Sequence, residues 1–257
     1  MLPELSHEEI LRYSRHLLIP EVGLEGQRKL KNSSALVIGT GGLGSPVALY
    51  LAAAGVGNIR VIDDDHVSLS NLQRQVLFGT DDIDALKAET AMHAVARINP
   101  DVKLVPINQR LDAHNVTTLL RHSDVIIDGC DNFETRLVVS DAATEMRIPL
   151  VSAAIGQFEG QLAVYRGWED NQPCYRCLVG DDPARAEASC AEQGVLGALP
   201  GVIGSLAALE AIRTLVPFGS DSAGKLVIAD FLSTRFRTLT LARDPACPCH
   251  AVETCPA

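Results

Sequence analysis

The spacing Gly39-Thr40-Gly41-Gly42-Leu43-Gly44 has the form of a phosphate-binding turn. An apolar run over residues 35–38 reads as a buried parallel strand. The apolar stretch 47–54, stopped by Gly55, reads as a helix, with Ser45 expected as its N-cap and Pro46 at its first position. Between the two, Gly39, Gly41, Gly42 and Gly44 let backbone N–H groups approach an anion, and the helix start adds partial positive charge. A second strand over 59–62 ends at Asp63, 19 residues after Gly44. An acid there meets a ribose hydroxyl in dinucleotide-type folds. The pattern points to a nucleotide without saying which one.

More polar residues fall where strands should end. In a parallel α/β sheet, ligands bind at the carboxyl edge, so Asn71, Arg74 and Gln75, in the polar stretch after Asp63, are placed to reach a nucleotide. The plainer alternative is an ordinary connecting loop. Lys87 lies in the first turn of a helix expected over 84–98. A cation is misplaced there unless it faces an anion. Asp131 follows a strand expected over 125–128. It is suited either to Mg²⁺ bridging phosphates or to capping the helix expected around 134–146, and Asn132 sits beside it.

The cysteines suggest a metal. Cys174-Tyr175-Arg176-Cys177 and Cys247-Pro248-Cys249-His250 are two tight pairs separated by about seventy residues, which suits tetrahedral Zn²⁺. The expected ligands are Cys174, Cys177, Cys247 and Cys249, with His250 the alternative for the fourth. Four protein ligands leave no open position, so the site reads as structural. A redox role for the first pair competes, but no thioredoxin-like pattern surrounds it. Cys190 stands apart in a polar stretch and reads either as a nucleophile or as an inert thiol.

Behind these residues stands a chain of 257 residues with 47% hydrophobic content, enough for a sizeable core built from Val, Leu, Ile and Ala. The net charge of −10 argues against nonspecific nucleic-acid or anionic-membrane binding. The acidic N-terminal stretch does not read as a signal peptide. The apolar region 194–209 is broken by Pro200 and glycines, and reads as a buried loop feeding a helix over 205–215. With the cysteine spacing, this suggests a reducing, cytoplasmic compartment. The box Ser6-His7-Glu8-Glu9 should open a helix to about residue 18, with Arg12 and Arg15 on its solvated side. Strands are expected over 102–107, 149–153, 161–165, 226–229 and 236–241, and a helix over 112–121. The fold class is therefore α/β, Rossmann-like: a mainly parallel sheet in the first half, continuing into additional strands.

Taken together, the sequence resembles the ThiF/MoeB/HesA family, relatives of ubiquitin-activating enzymes, and is nearest its MoeB-like members. The resemblance rests on Arg12-Tyr13-Ser14-Arg15, the glycine turn, Ala54-Gly55-Val56-Gly57-Asn58 and Asp63. It continues through the stretch from Val67 to Gln75, Lys87, Arg97-Ile98-Asn99-Pro100, Asp131-Asn132, the Cys174/Cys177 pair and the stretch from Gly201 to Ser205. It covers nearly the whole chain and implies one adenylating domain, with a nucleotide-binding part over about 30–155 and a zinc-bearing, carrier-binding part over about 156–257.

The implied reaction is ATP-dependent adenylation of the C-terminal glycine carboxylate of a small ubiquitin-like sulfur carrier ending in Gly-Gly, MoaD- or ThiS-like. A separate sulfur donor then makes the thiocarboxylate. The same resemblance implies that Arg74 and Lys87 contact phosphates, Asp131 handles Mg²⁺ and Asp63 holds ribose. It also implies that Arg15 reaches the other subunit's site in a homodimer and that Cys190 takes part in covalent carrier chemistry. The irregular second cysteine pair departs from the family's usual C-x-x-C. Three rivals remain at this point: a nicotinamide-dependent oxidoreductase, a nonenzymatic zinc-bearing interaction module, and a tRNA-modifying dehydratase.

Overall fold

The computed structural model describes residues 2–180 and 194–253. Cys190 falls outside them. The chain opens with α1 (His7–Arg12), α2 (Ser14–Leu17) and α3 (Gly23–Asn32), and then enters a sheet. In β1 (Ser34–Ile38), Ala35 and Val37 face one core and Leu36 and Ile38 the other, as the two-residue period of a strand requires. Both faces are buried, so the run reads as continuously apolar.

The order continues α4 (Gly44–Ala54), β2 (Asn58–Ile62), α5 (Lys87–Ile98), β3 (Lys103–Ile107), α6 (Val116–Leu120), β4 (Val125–Asp128), α7 (Phe133–Met146), β5 (Leu150–Ile155) and β6 (Glu159–Tyr165). It ends with α8 (Tyr175–Val179), α9 (Ala198–Leu215), β7 (Lys225–Asp230) and β8 (Arg235–Thr240). The sheet order is β3-β2-β1-β4-β5-β6-β7-β8. Strands β1 to β5 pair in parallel and β5 to β8 antiparallel. One core cluster lies between the sheet and α3, α4, α5 and α9, the other between the sheet and α6, α7 and α8. Strand order reverses between β1 and β4, which opens a crevice at their carboxyl ends.

Several local expectations are corrected. Helix α4 begins at Gly44 with Leu43 at the cap, because the Ser45 hydroxyl is buried and donates to Thr40 O at 2.9 Å. Helix α5 begins at Lys87, since Asp84 adopts a φ of 70° outside the helix. The helix expected over 112–121 is only α6, because Asp112 Oδ1 accepts from the His114 and Asn115 N–H groups in a turn.

Region 194–209 is mostly helix. Pro200 sits in the first turn of α9, where its missing N–H is tolerated. Gly204 lets α9 approach α4, since a Cβ there would lie 2.5 Å from Leu43 O and Pro46 Cγ. Among the described residues, α9 alone is long and apolar enough to cross a membrane, yet it packs on α4, β4, β5 and β6.

The Ser6–Glu9 capping box forms as expected, but the helix breaks at Tyr13. Tyr13 is buried, and its hydroxyl accepts from Asn99 Nδ2 at 2.7 Å. Gly55, with φ 83°, leaves room for the ring, because a Cβ there would lie 2.5 Å from it. Arg12 Nη1 donates to Ile98 O at 2.9 Å. Three stretches that are distant in the chain thus meet in one scaffold knot that fastens the N-terminal arm to α4 and α5.

Candidate functional site: a glycine cleft and a Cys/His cluster

A cleft of about 690 Å³ opens at the β1/β4 crevice. Its floor is the turn from Gly39 to Gly44. Gly39 has φ 79°, and a Cβ on Gly44 would lie 1.8 Å from Gly39 O, so the turn closes only with glycine at both positions. Gly44 lies beneath the cleft, whereas Gly39, Gly41 and Gly42 line it. No side chain caps the start of α4. Asp63 holds the turn from the side: its Oδ2 accepts from Thr40 N at 2.7 Å and from Thr40 Oγ1 at 2.6 Å, and its Oδ1 accepts from Asp65 N.

Asn71, Arg74, Gln75, Lys87, Asp131 and Asn132 also line the cleft. Arg74 is braced by donating to Ser70 O at 3.0 Å. Gln75 is 4% exposed, and its Oε1 has no partner among the described residues, an acceptor left for a ligand or water. Lys87 Nζ pairs with Asp65 Oδ2 at 2.8 Å, so the anion that its position demands is Asp65. The lysine side chain is 6% exposed and the aspartate 69%, so a buried ammonium looks out through a solvated carboxylate. Asn132, not Asp131, caps α7, accepting from Thr135 N at 2.8 Å. Asp131 is exposed and has no side-chain hydrogen bond among the described residues. Arg15 is exposed on α2 and does not line the cleft.

Sequence reasoning missed four residues that brace the cleft. Thr40 and Asp65 lie inside stretches already singled out, and their bonds to Asp63 and Lys87 mark them. Asp128 and Arg136 form a buried pair at 3.7 Å under the loop after β4, and no spacing rule pointed to it.

The second constellation lies against α7. The ligand atoms of Cys174, Cys177, Cys247 and His250 all lie within 4.8 Å of one another. Cys174 Sγ is 3.8 Å from Cys177 Sγ and 3.6 Å from Cys247 Sγ, and Cys177 Sγ is 3.2 Å from His250 Nε2. A tetrahedron with Zn–S bonds of about 2.3 Å has S–S edges of about 3.8 Å, so the set fits zinc. His250 is the fourth member of the cluster. Cys249, expected there, donates from Sγ to Asp141 Oδ1 at 3.2 Å. Cys249 still stands close enough to lead the contacts that draw the Cys174 thiol down to about 5. Asp141 is itself held by Arg176 through two bonds of 2.7 Å.

A mainly parallel sheet with its cleft at the switch point, extended by antiparallel strands, defines a Rossmann-like protein of the kind seen in Escherichia coli MccB. The two folds superpose with a TM-score of 0.81 at 23% identity, over 96% of this chain and 73% of that one, which is a likeness of fold alone. Residues 13–249 match the ThiF family, and the chain belongs to it. It is 46% identical to a sulfur carrier protein adenylyltransferase of Thermus thermophilus, covering 94% of this chain and 90% of the relative. It is 41% identical to the molybdopterin-synthase adenylyltransferase of Escherichia coli, covering 96% and 98%.

Proposed function

We propose that the chain is an adenylyltransferase that uses ATP to activate the C-terminal carboxylate of a small ubiquitin-like sulfur-carrier protein ending in Gly-Gly. The names of near-full-length relatives support this reading. The observation that carries it is the cleft itself, where an uncapped helix start, cations that include Arg74 and Lys87, and the unpartnered Gln75 Oε1 converge on one strand-order reversal. Residues of about 30–155 supply the nucleotide part and about 156–257 the carrier-binding part.

The chemistry sets a clear demand. A carboxylate attacking the α-phosphate of ATP meets anion–anion repulsion, and charge grows on phosphate oxygens as pyrophosphate leaves. Backbone N–H groups of the glycine turn bind phosphate. Arg74 and Lys87 offset the charge, with Lys87 turning from Asp65 to the substrate. Asp63, already fixed by Thr40, holds ribose, while Asn71, Gln75 and Asn132 orient the nucleotide. Arg15, exposed and outside its own cleft, serves the neighbouring site of a homodimer. Asp131, exposed and uncommitted, is the hard oxygen donor that fits Mg²⁺, which when bound neutralises phosphate charge. Cys190 joins the later carrier chemistry, with sulfur from a separate donor. The Cys/His cluster holds a structural Zn²⁺. The carriers are MoaD-like, in molybdopterin assembly, or ThiS-like, in thiamin assembly.

ATP–pyrophosphate exchange with candidate carriers is the test. Exchange that depends on one carrier is expected and names the pathway. No exchange with any carrier, in protein that binds ATP, overturns the reading. Arg74→Ala and Asp131→Ala should each lower exchange by at least about a hundredfold with the fold intact, as loss of a charge-stabilising group does.

A further inference from the structure

Asp131 lies between two residues that are each held in place. On one side, Cys130 N and Cys130 Sγ both donate to Asp128 Oδ1, at 3.0 and 2.7 Å. Cys130 O accepts from Arg136 Nη2 at 2.6 Å. On the other side, Asn132 is fixed as the cap of α7, and its own carbonyl accepts from Arg136 N at 3.3 Å. The guanidinium also reaches across the sheet, donating to Ala153 O on β5 at 2.9 Å and lying 3.5 Å from Ser152 Oγ. Ser152 Oγ donates to Asp128 Oδ2 at 3.3 Å, which closes the ring. Asp128 is 1% exposed and Arg136 5%.

Burying two charges is costly even when they pair, and well-packed apolar residues would stabilise such a position as well or better. What the pair supplies is placement. It joins the end of β4 and the middle of β5 to the loop 129–132, and in that loop the only side chain without a bond among the described residues is that of Asp131. The Cys130 thiol acts as a donor in this ring. Burial first, then the Asp128 charge, pushes it well above the usual thiol range, so it keeps its proton.

We propose that Asp128 and Arg136 are positioning residues that hold Asp131 at the depth where it serves the cation of a bound Mg²⁺–nucleotide, with Cys130 as their link to the loop. This assignment rests on the role given to Asp131 above. Lysine at position 136 keeps the charge but lacks the fork, in which Nη1 faces Asp128 and Ser152 while Nη2 reaches Cys130 O and Ala153 O.

The test is calorimetric titration of the full chain with ATP, with and without Mg²⁺, alongside thermal melts. In the wild-type protein, Mg²⁺ should tighten ATP binding; if it does not, the site reading itself fails and this assignment with it. Arg136→Lys should raise the Mg²⁺ concentration needed for half of that tightening about tenfold, the range for outer partners of metal ligands, while metal-free ATP affinity stays unchanged. Combining it with Asp131→Ala should add nothing to the effect of Asp131→Ala alone. Should Arg136→Lys not fold, Cys130→Ala removes one arm of the ring and is expected to shift the Mg²⁺ dependence in the same direction by a smaller factor. Unchanged Mg²⁺ dependence in a folded variant, or equal losses with and without Mg²⁺, overturns the proposal.

Discussion

In the glycine cleft, Gly39 and Gly44 are near neighbours in the chain and lock each other through backbone atoms. In the Cys/His cluster, Cys174 and Cys247 come from segments 73 residues apart and meet through side chains alone. The first is a local turn whose shape follows from a few φ angles and the absence of Cβ atoms. The second is a long-range closure between segments far apart in the chain. Residue spacing predicts the first kind of site well. For the second it gives the elements but not which of the neighbours Cys249 and His250 joins the cluster, and it is His250 that groups with Cys174, Cys177 and Cys247.

This contrast can be broken most forcefully at Gly44. Gly44→Ala places a Cβ 1.8 Å from Gly39 O and should destabilise the protein by more than about 3 kcal/mol in urea unfolding. A loss below about 1 kcal/mol would mean that the turn adapts, and the cleft would no longer count as rigid by backbone geometry. At the other pole, zinc removal or His250→Ala should speed amide exchange in segments 174–179 and 247–250 by about tenfold or more while 39–44 stays protected. Equal acceleration in both places would make the two regions one cooperative unit. Asn99→Ala leaves the buried Tyr13 hydroxyl unpaired and should cost about 2 kcal/mol without altering ATP affinity, a direct separation of scaffold knot from cleft. The smallest effect is expected from Asn132→Ala, about 1 kcal/mol through the lost α7 cap. Melts without nucleotide would read it.

Much of the cleft was legible because its residues follow strand ends in short stretches. The glycine turn, Asp63, Arg74 and Gln75 lie together as their spacing suggested. Lys87 was legible as an anomaly, a cation at a helix start, although the anion that answers it is Asp65. Ser45 misled because a buried hydroxyl bonded back to Thr40 looks, in sequence, like a cap. Region 194–209 misled because Gly204, which lets two helices approach, looks in sequence like a loop glycine. Asp128 and Arg136 left no trace, since an acid ending a strand and an arginine within a helix are both ordinary until the fold buries them together. The order of the strands likewise emerges from pairing rather than from any one segment, although the alternation of strand and helix foretold a mainly parallel sheet.

The order of the sheet also bears on the moment at which the molecule becomes competent during its own synthesis. β1 leaves the ribosome early but lies between β2 and β4, and the wall facing Gly39 is Gly129, whose carbonyl lies 3.4 Å from where a Cβ on Gly39 would sit. A nascent chain that ends before β4 has the glycine turn but half of the crevice. Arrest at successive lengths should find the turn translated long before the cleft exists, because the chain must run on from Gly39 as far as Gly129 before the glycine turn has walls on both sides.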